Sequence, residues 1–193
     1  MTTTRWWWVR HAPSAGLPGI IHGQDDVDAD LTDLPAIKAR IRKLPKGAIW
    51  LTSGLPRTVQ TAEALGGINC RAVPGLMEQD FGDWNGKSWG DLRGELSRKF
   101  WLNFATESPP GGESFVQMME RVAHTIEELS AEYEGQNIIA VAHAGTIRAA
   151  LTIALNLFAK SALTFQLDNL SITEIENIPD GDLRAWCVHG INR

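Results

Sequence analysis

Thr4-Arg5-Trp6-Trp7-Trp8-Val9-Arg10-His11 is the stretch on which the fold turns. Residues 4–9 form a β-branched and aromatic run that predicts a buried strand, and that strand delivers Arg10 and His11 at its carboxyl end. The pattern recurs twice. Residues 48–52 predict a strand ending at Ser53, with Pro56 where proline starts helices and Arg57 in the turn that follows. Residues 137–142 predict a strongly apolar strand that ends at His143.

Helical patterns fill the gaps between these strands. Leu34, Ile37, Ile41 and Leu44 follow Thr32 or Asp33 as a cap and stop at Pro45 and Gly47, while Val59, Ala62 and Leu65 make a stripe that ends at Gly66-Gly67. A third helix is expected over residues 91–104, before Pro109-Pro110-Gly111-Gly112. Ser114 with Gln117 then reads as a capping box for a long helix, with Phe115, Met118, Val122, Ile126 and Leu129 on one face until Gly135. Residues 146–157 continue as helix after His143. Further strands are expected over 69–73, 163–167, 171–178 and 183–191, the last two joined by a Pro179-Asp180-Gly181 turn.

Alternation of this kind predicts an α/β fold. It is a three-layer α/β/α sandwich whose sheet is mostly parallel, with helices on both faces and an antiparallel C-terminal edge. No repeat or long linker divides the 193 residues, so one domain over 1–193 is expected. In open sheets of this class, ligands bind beyond the carboxyl ends of the strands. Those ends carry Arg10-His11, Ser53 leading to Arg57, and His143.

Charge and cysteine usage narrow the partners. With 18 Lys+Arg against 23 Asp+Glu the formal charge is −5, so no broad positive field favours nucleic acid or an anionic membrane surface. Cys70 and Cys187 lie far apart in no metal-ligand spacing, which fits a reducing cytoplasm. The longest apolar stretch, 149–159, is interrupted by Thr152 and Asn156 and is too short to span a bilayer.

Taken singly, His11 and His143 are ordinary strand-end histidines, Arg57 a surface arginine and Glu78 a solvated carboxylate. Their conjunction suits transfer of a phosphoryl group without metal. That group spreads negative charge over three oxygens, which Arg10, Arg57 and His143 can meet as fixed donors. An imidazole is uncharged at neutral pH, so His11 can attack phosphorus and carry it as phosphohistidine. Glu78 can protonate the leaving oxygen and later deprotonate water.

The order of these residues resembles a known family. Val9-Arg10-His11-Ala12-Pro13 is similar to the Arg-His-Gly opening of the histidine phosphatase superfamily, in its phosphoglycerate-mutase-like branch. The segment from Thr52-Ser53 through Arg57 to Gln60-Thr61-Ala62 resembles that family's Ser-Ser-x-x-x-Arg-x-x-Gln-Thr-Ala. Leu76-Met77-Glu78 through Gly82-Asp83-Trp84-Asn85-Gly86 resembles its Leu-x-Glu-x-x-x-Gly-x-Trp-x-Gly loop. Val141-Ala142-His143-Ala144-Gly145 and Gly112-Glu113-Ser114 complete the set.

The resemblance implies His11 as phosphorylated nucleophile, Arg10, Arg57 and His143 as phosphate pocket, Glu78 as proton donor, and neither metal nor other cofactor. It also implies a backbone N–H contribution from Ala144. Two features depart from the pattern. Ala12 replaces a glycine, and Ser14-Ala15-Gly16 stands where many members place an asparagine ligand, leaving Ser14 as a substitute donor. His22 is a candidate contact for the rest of the substrate. The Ala-Pro variant and His22-Gly23-Gln24 most resemble small bacterial alpha-ribazole-phosphatase-like members, which implies a small phosphorylated substrate.

Rival readings are a phosphoglycerate mutase using the same residues and a phosphoprotein-binding module without turnover. Gly86-Lys87-Ser88 imitates a Walker A end, but Phe81 stands where that motif needs its first glycine. Ser53 and Ser114 lack the glycines of a nucleophile elbow. Zinc held by His11, His143 and Glu78 is opposed by the neighbouring arginines. Trp84 and Trp89 are expected to wall the pocket or join the core, and Trp6 to Trp8, Trp50, Trp101 and Trp186 to fill the core.

Overall fold

The computed structural model describes residues 2–180 and 183–193. Six strands form one sheet: β1 (Thr4–Arg10), β2 (Ile49–Thr52), β3 (Arg71–Ala72), β4 (Asn137–Ala142), β5 (Ile172–Asp180) and β6 (Leu183–Gly190), in the spatial order β3-β2-β4-β1-β5-β6. The first four run parallel, while β5 pairs antiparallel with β1 and β6 with β5. The expected antiparallel edge is therefore present.

Side-chain alternation on β1 and β4 assigns the two faces. Trp6, Trp8, Ile138, Ala140 and Ala142 pack with α4 (Phe115–Glu132) and α5 (Ala144–Ala154). Val9, Ile139 and Val141 pack with α1 (Leu34–Ile41) and α2 (Pro56–Ala64). The Trp6 and Trp8 rings stack with centroids 4.9 Å apart, and the Trp6 indole N–H finds Ser130 Oγ at 2.9 Å, so the buried polar atom is satisfied. Trp7, on the other face, is only partly buried and donates to Asn137 Oδ1.

Both expected helix caps are present. Asp33 Oδ1 accepts from Ala36 N at 3.0 Å, and Ser114 and Gln117 exchange reciprocal bonds at the start of α4.

Several elements differ from expectation. Residues 163–167 are not a strand: Ala159–Thr164 forms 3-10 turns, and the sheet closes on β3 and β6 without them. The carbonyls of Phe165 and Leu167 instead accept from Arg148 and Arg10. The strand expected over 69–73 shrinks to Arg71–Ala72, an edge pair beside Leu51 and Thr52. The third helix, α3, is Glu95–Leu102, entered through Gly94 at φ 107°. Helix α1 ends at Ile41, and α5 begins at Ala144 with His143 as its N-cap. Pro179 and Asp180 belong to β5, whereas Gly181 of the expected turn lies outside the described residues. Among the described residues no helix is long and apolar enough to cross a membrane.

Candidate active site

Register on the sheet brings the two histidines together. Arg10 pairs with Ala142 across parallel strands β1 and β4, and His11 N donates to Ala142 O at 2.9 Å. The next residues, His11 and His143, therefore leave neighbouring strand ends on the same side. Their ring centroids lie 5.1 Å apart, edge to face.

His11 is 6% exposed and forms part of the wall of a cavity of about 280 Å³. Its Nδ1 lies 2.5 Å from the carbonyl oxygen of Ala12. A carbonyl can only accept, so Nδ1 carries the proton and Nε2 keeps the lone pair. Burial, then Arg57, push the His11 pKa down to about 3, with Arg10 and His22 adding to the effect against the Ala12 hydrogen bond. The ring is neutral at physiological pH.

Three guanidinium groups, from Arg10, Arg57 and Arg148, and one carboxylate, Glu78, are the charged groups lining the cavity. Burial lowers the pKa of each arginine and Glu78 opposes that shift in all three, but the guanidiniums remain charged. A net excess of two positive charges complements a phosphomonoester dianion. Arg57, 2% exposed, donates from Nη1 to Asp25 O at 2.9 Å and from Nη2 to Gly23 O at 2.6 Å, so the loop after His11 drapes over it. Arg10 donates from Nη1 to Leu167 O at 2.6 Å, while its Nε is buried without a partner.

His143 is fully buried behind this floor. Its Nε2 lies 2.9 Å from Ser53 Oγ, which in turn lies 3.0 Å from Thr58 Oγ1. Thr58 gives its one proton to Leu55 O at 2.8 Å. Ser53 must then donate to Thr58, and His143 Nε2–H to Ser53. The neutral ring is left with a bare Nδ1, buried and unpartnered. Burial, then His11, Arg57, Arg10 and Arg121, hold the His143 pKa well below its ordinary value. A negative charge beside Nδ1 would favour the protonated ring, in which Nδ1–H is a donor.

Glu78 sits on the start of α5. Gly145 N donates to its Oε2 at 3.2 Å and Gln79 N to its Oε1 at 3.0 Å. A Cβ on Gly145 would lie 2.0 Å from Glu78 Oε1, so a side chain there would push the carboxylate out of this position. Gly145, rather than Ala144 at the first position of the helix, reaches the cavity wall.

Arg121 holds the Glu78 loop from behind. Its Nη1 donates to Gly75 O and Met77 O, its Nη2 to Glu78 O, and it pairs with Glu113. Glu113 O in turn accepts from Gln79 Nε2. Gly82, at φ 50°, lets the loop pass against the backbone of Pro110 and Gly111, where a Cβ would lie 2.2 Å from Pro110 O.

Ser14 and His22 both line the cavity, as does Trp89. Burial, then Arg57, lower the His22 pKa against Asp25. Trp84 is core, 6% exposed, whereas Trp101, expected in the core, is 49% exposed at the cavity mouth. Lys87 and Ser88 start no helix, and Ser88 bridges Ile20 instead.

Arg148 is not among the expected residues, although it lies three residues after Gly145 and so on the same helix face. Cross-strand pairing also gathers Glu176, Cys187 and His189, with donor atoms within 4.8 Å of one another. Glu176 there is already shared between Arg5 and His189, so the group reads as an ion-pair cluster on the edge hairpin.

Residues 6–188 match the family model described as histidine phosphatase superfamily (branch 1). Mycobacterium tuberculosis has a bifunctional protein 33% identical over 109 residues, but the match spans 55% of this chain and only 30% of that relative. A putative phosphoserine phosphatase 2 of Hydrogenobacter thermophilus is 29% identical over 86% of both chains. The adenosylcobalamin/alpha-ribazole phosphatase of Escherichia coli is 26% identical over 85% of both. Among solved structures, a mycobacterial glucosyl-3-phosphoglycerate phosphatase superposes with a TM-score of 0.83 at 24% identity, covering 98% of this chain and 99% of that one, which bears on fold alone. Given a family match along nearly its whole length and the strand-end histidines that the match spans, the chain belongs to the histidine phosphatase superfamily.

Proposed function

We propose that this protein is a metal-independent phosphomonoester hydrolase that works through a phosphohistidine at His11. The observation that carries this reading is the Nδ1–H to Ala12 carbonyl contact, which leaves the Nε2 lone pair of a neutral imidazole in a cavity with three guanidinium groups. In the first step Nε2 attacks phosphorus as the bond to the ester oxygen breaks, and protonated Glu78 gives its proton to that oxygen. In the second, the Glu78 carboxylate takes a proton from water as the water oxygen attacks phosphorus. The P–N bond breaks, and inorganic phosphate leaves. Arg10, Arg57 and protonated His143 meet the charge on the equatorial oxygens in both steps. Ser14, His22 and the first N–H groups of α5, from Ala144 on, are the nearest further contacts.

The substrate is a small phosphorylated metabolite. The Escherichia coli and Hydrogenobacter relatives support alpha-ribazole phosphate and phosphoserine as starting points. The test is phosphate release from p-nitrophenyl phosphate in excess EDTA, with rapid acid quench after labelled substrate. Expected are turnover without metal and an acid-labile label on the wild-type chain that is absent from His11→Ala. A requirement for magnesium, or turnover that survives in His11→Ala, overturns the reading. Faster coupled conversion of 3- to 2-phosphoglycerate than hydrolysis would replace it by a mutase.

A further inference from the structure

We infer that the leaving group this site accepts carries an aromatic or similarly flat apolar ring, held by an aromatic wall built from Phe81, Trp89 and Trp101. The inference rests on the hydrolase reading for the location of the phosphate and goes beyond it in naming what lies on the other side of the scissile bond.

The charged lining of the cavity stops at Glu78 and the three arginines. Past Glu78, the same loop contributes Phe81 and Trp89, and the segment carrying α3 adds Phe100, Trp101 and Phe104. Because Glu78 protonates the leaving oxygen, the alcohol must extend along this loop. Gln79, the polar side chain nearest Glu78 in sequence, has its amide N–H group committed to Glu113 O. On the side formed by this loop and α3 the alcohol meets ring faces and edges.

A purely structural aromatic cluster would bury its members, and part of this one does. Trp84 is 6% exposed and Phe100 3%, with centroids 5.1 Å apart. The outer rings differ. Trp89 and Trp101 are 36% and 49% exposed, yet they are seated on the cluster rather than loose. Trp89 meets Phe81 edge-on at 5.3 Å, Trp101 meets Phe100 at 5.4 Å, and the two indoles are 5.2 Å apart at 54°. Two indoles fixed at a cavity mouth leave apolar surface in water that a bound ring covers. A polar group set against those ring faces would lose hydration there without gaining a hydrogen-bond partner from the rings.

The experiment compares two esters of primary alcohols, 2-naphthylmethyl phosphate and glycerol 1-phosphate, so that leaving-group chemistry does not mimic recognition. Wild type is expected to favour the naphthylmethyl ester by roughly ten-fold or more in kcat/KM, mostly through KM. Trp101→Ala should bring that ratio towards one, and Trp101→Phe should restore most of it. A wild-type ratio near or below one, or a ratio unchanged in Trp101→Ala, overturns the inference. So does loss of a dimer in Trp101→Ala with the ratio intact, which would make the rings an interface between copies. If neither ester is turned over, the hydrolase reading fails separately. Calorimetric binding of 2-naphthylmethyl phosphonate against methylphosphonate then decides: tighter naphthyl binding that Trp101→Ala abolishes supports the wall, and equal binding sinks it.

Discussion

The floor and the roof of the cavity are built by different physics. The floor is set by the sheet: Arg10, His11 and, behind it, His143 follow from the β1–β4 register, and Arg57 from a helix that starts at Pro56 beside β2. Moving any one of them requires moving a strand. The roof, residues 75–113, has only short 3-10 turns and α3, and it is held by discrete brackets such as Arg121, Glu113 and the Gly82 contact. Chemistry thus rests on a scaffold that does not adjust, while leaving-group handling rests on one that can. Floor lesions should abolish turnover for every ester, and roof lesions should discriminate among esters.

His11→Ala is the most severe test of that division. It removes the proposed nucleophile, and kcat should fall by about four orders of magnitude or more for aryl and alkyl phosphates alike. A loss confined to one ester class would move His11 out of the floor. Glu78→Gln comes next. Alkyl esters, which need the proton, should lose about 10²–10³-fold in kcat, and p-nitrophenyl phosphate much less. Equal losses for the two would place Glu78 among the charge-balancing groups instead.

Arg121→Ala breaks the roof's bracket without touching the floor. Three carbonyls and Glu113 lose their donor, so stability should drop by about 2–4 kcal/mol and alkyl-ester kcat by severalfold to tenfold. Denaturant melts and steady-state rates check both numbers. Unchanged rates in a destabilised variant would show that the Glu78 loop keeps its position through Gly145 alone.

Protonation probes the floor in another way. In the proposed mechanism His11 reacts as the neutral form, and its pKa is pushed to about 3 by burial and Arg57. No loss of rate from His11 is expected between pH 7 and 4, whereas an ordinary histidine would cost about ten-fold by pH 5.5. An acid limb near 6.5 that disappears in no floor variant would contradict this. Stability carries the opposite sign. The unfolded chain takes up the proton below about 6.5 and the folded one does not until about 3, so the folded state loses roughly 2 kcal/mol from His11 between pH 6.5 and 5. Melts at pH 7 and pH 5 measure it.

The same contrast explains what the sequence made legible. Strand ends are local features: an apolar run followed by Arg10-His11 or by His143 identifies the floor without knowledge of the rest. Arg148 escapes a reading that starts α5 at Thr146, because only a start at Ala144 puts Gly145 in the helix and Arg148 on its face. The roof has no such periodicity. Phe81, Trp89 and Trp101 come from separate loops and a short helix, so neither a moment nor a motif says which rings stay in water. The false strand at 163–167 has a related cause, since β propensity cannot reveal that the Phe165 and Leu167 carbonyls are taken by Arg148 and Arg10 rather than by a neighbouring strand.

The mildest test uses one kind of cap in both regions. Asp33 caps α1 below the floor and is exposed; Ser114 caps α4 and is 4% exposed, next to Glu113. Ser114→Ala should cost about 1 kcal/mol and Asp33→Ala somewhat less, since water can replace an exposed cap. Their effects on rate should diverge. Glu113 holds Gln79 and Asp80 through its carbonyl and carboxylate, so loosening the first turn of α4 loosens the segment that aims Glu78. Alkyl-ester turnover should fall severalfold in Ser114→Ala and stay level in Asp33→Ala once both are fully folded. Level rates in both would mean that the roof is braced independently of α4's first turn, leaving Arg121 and Gly145 as its anchors.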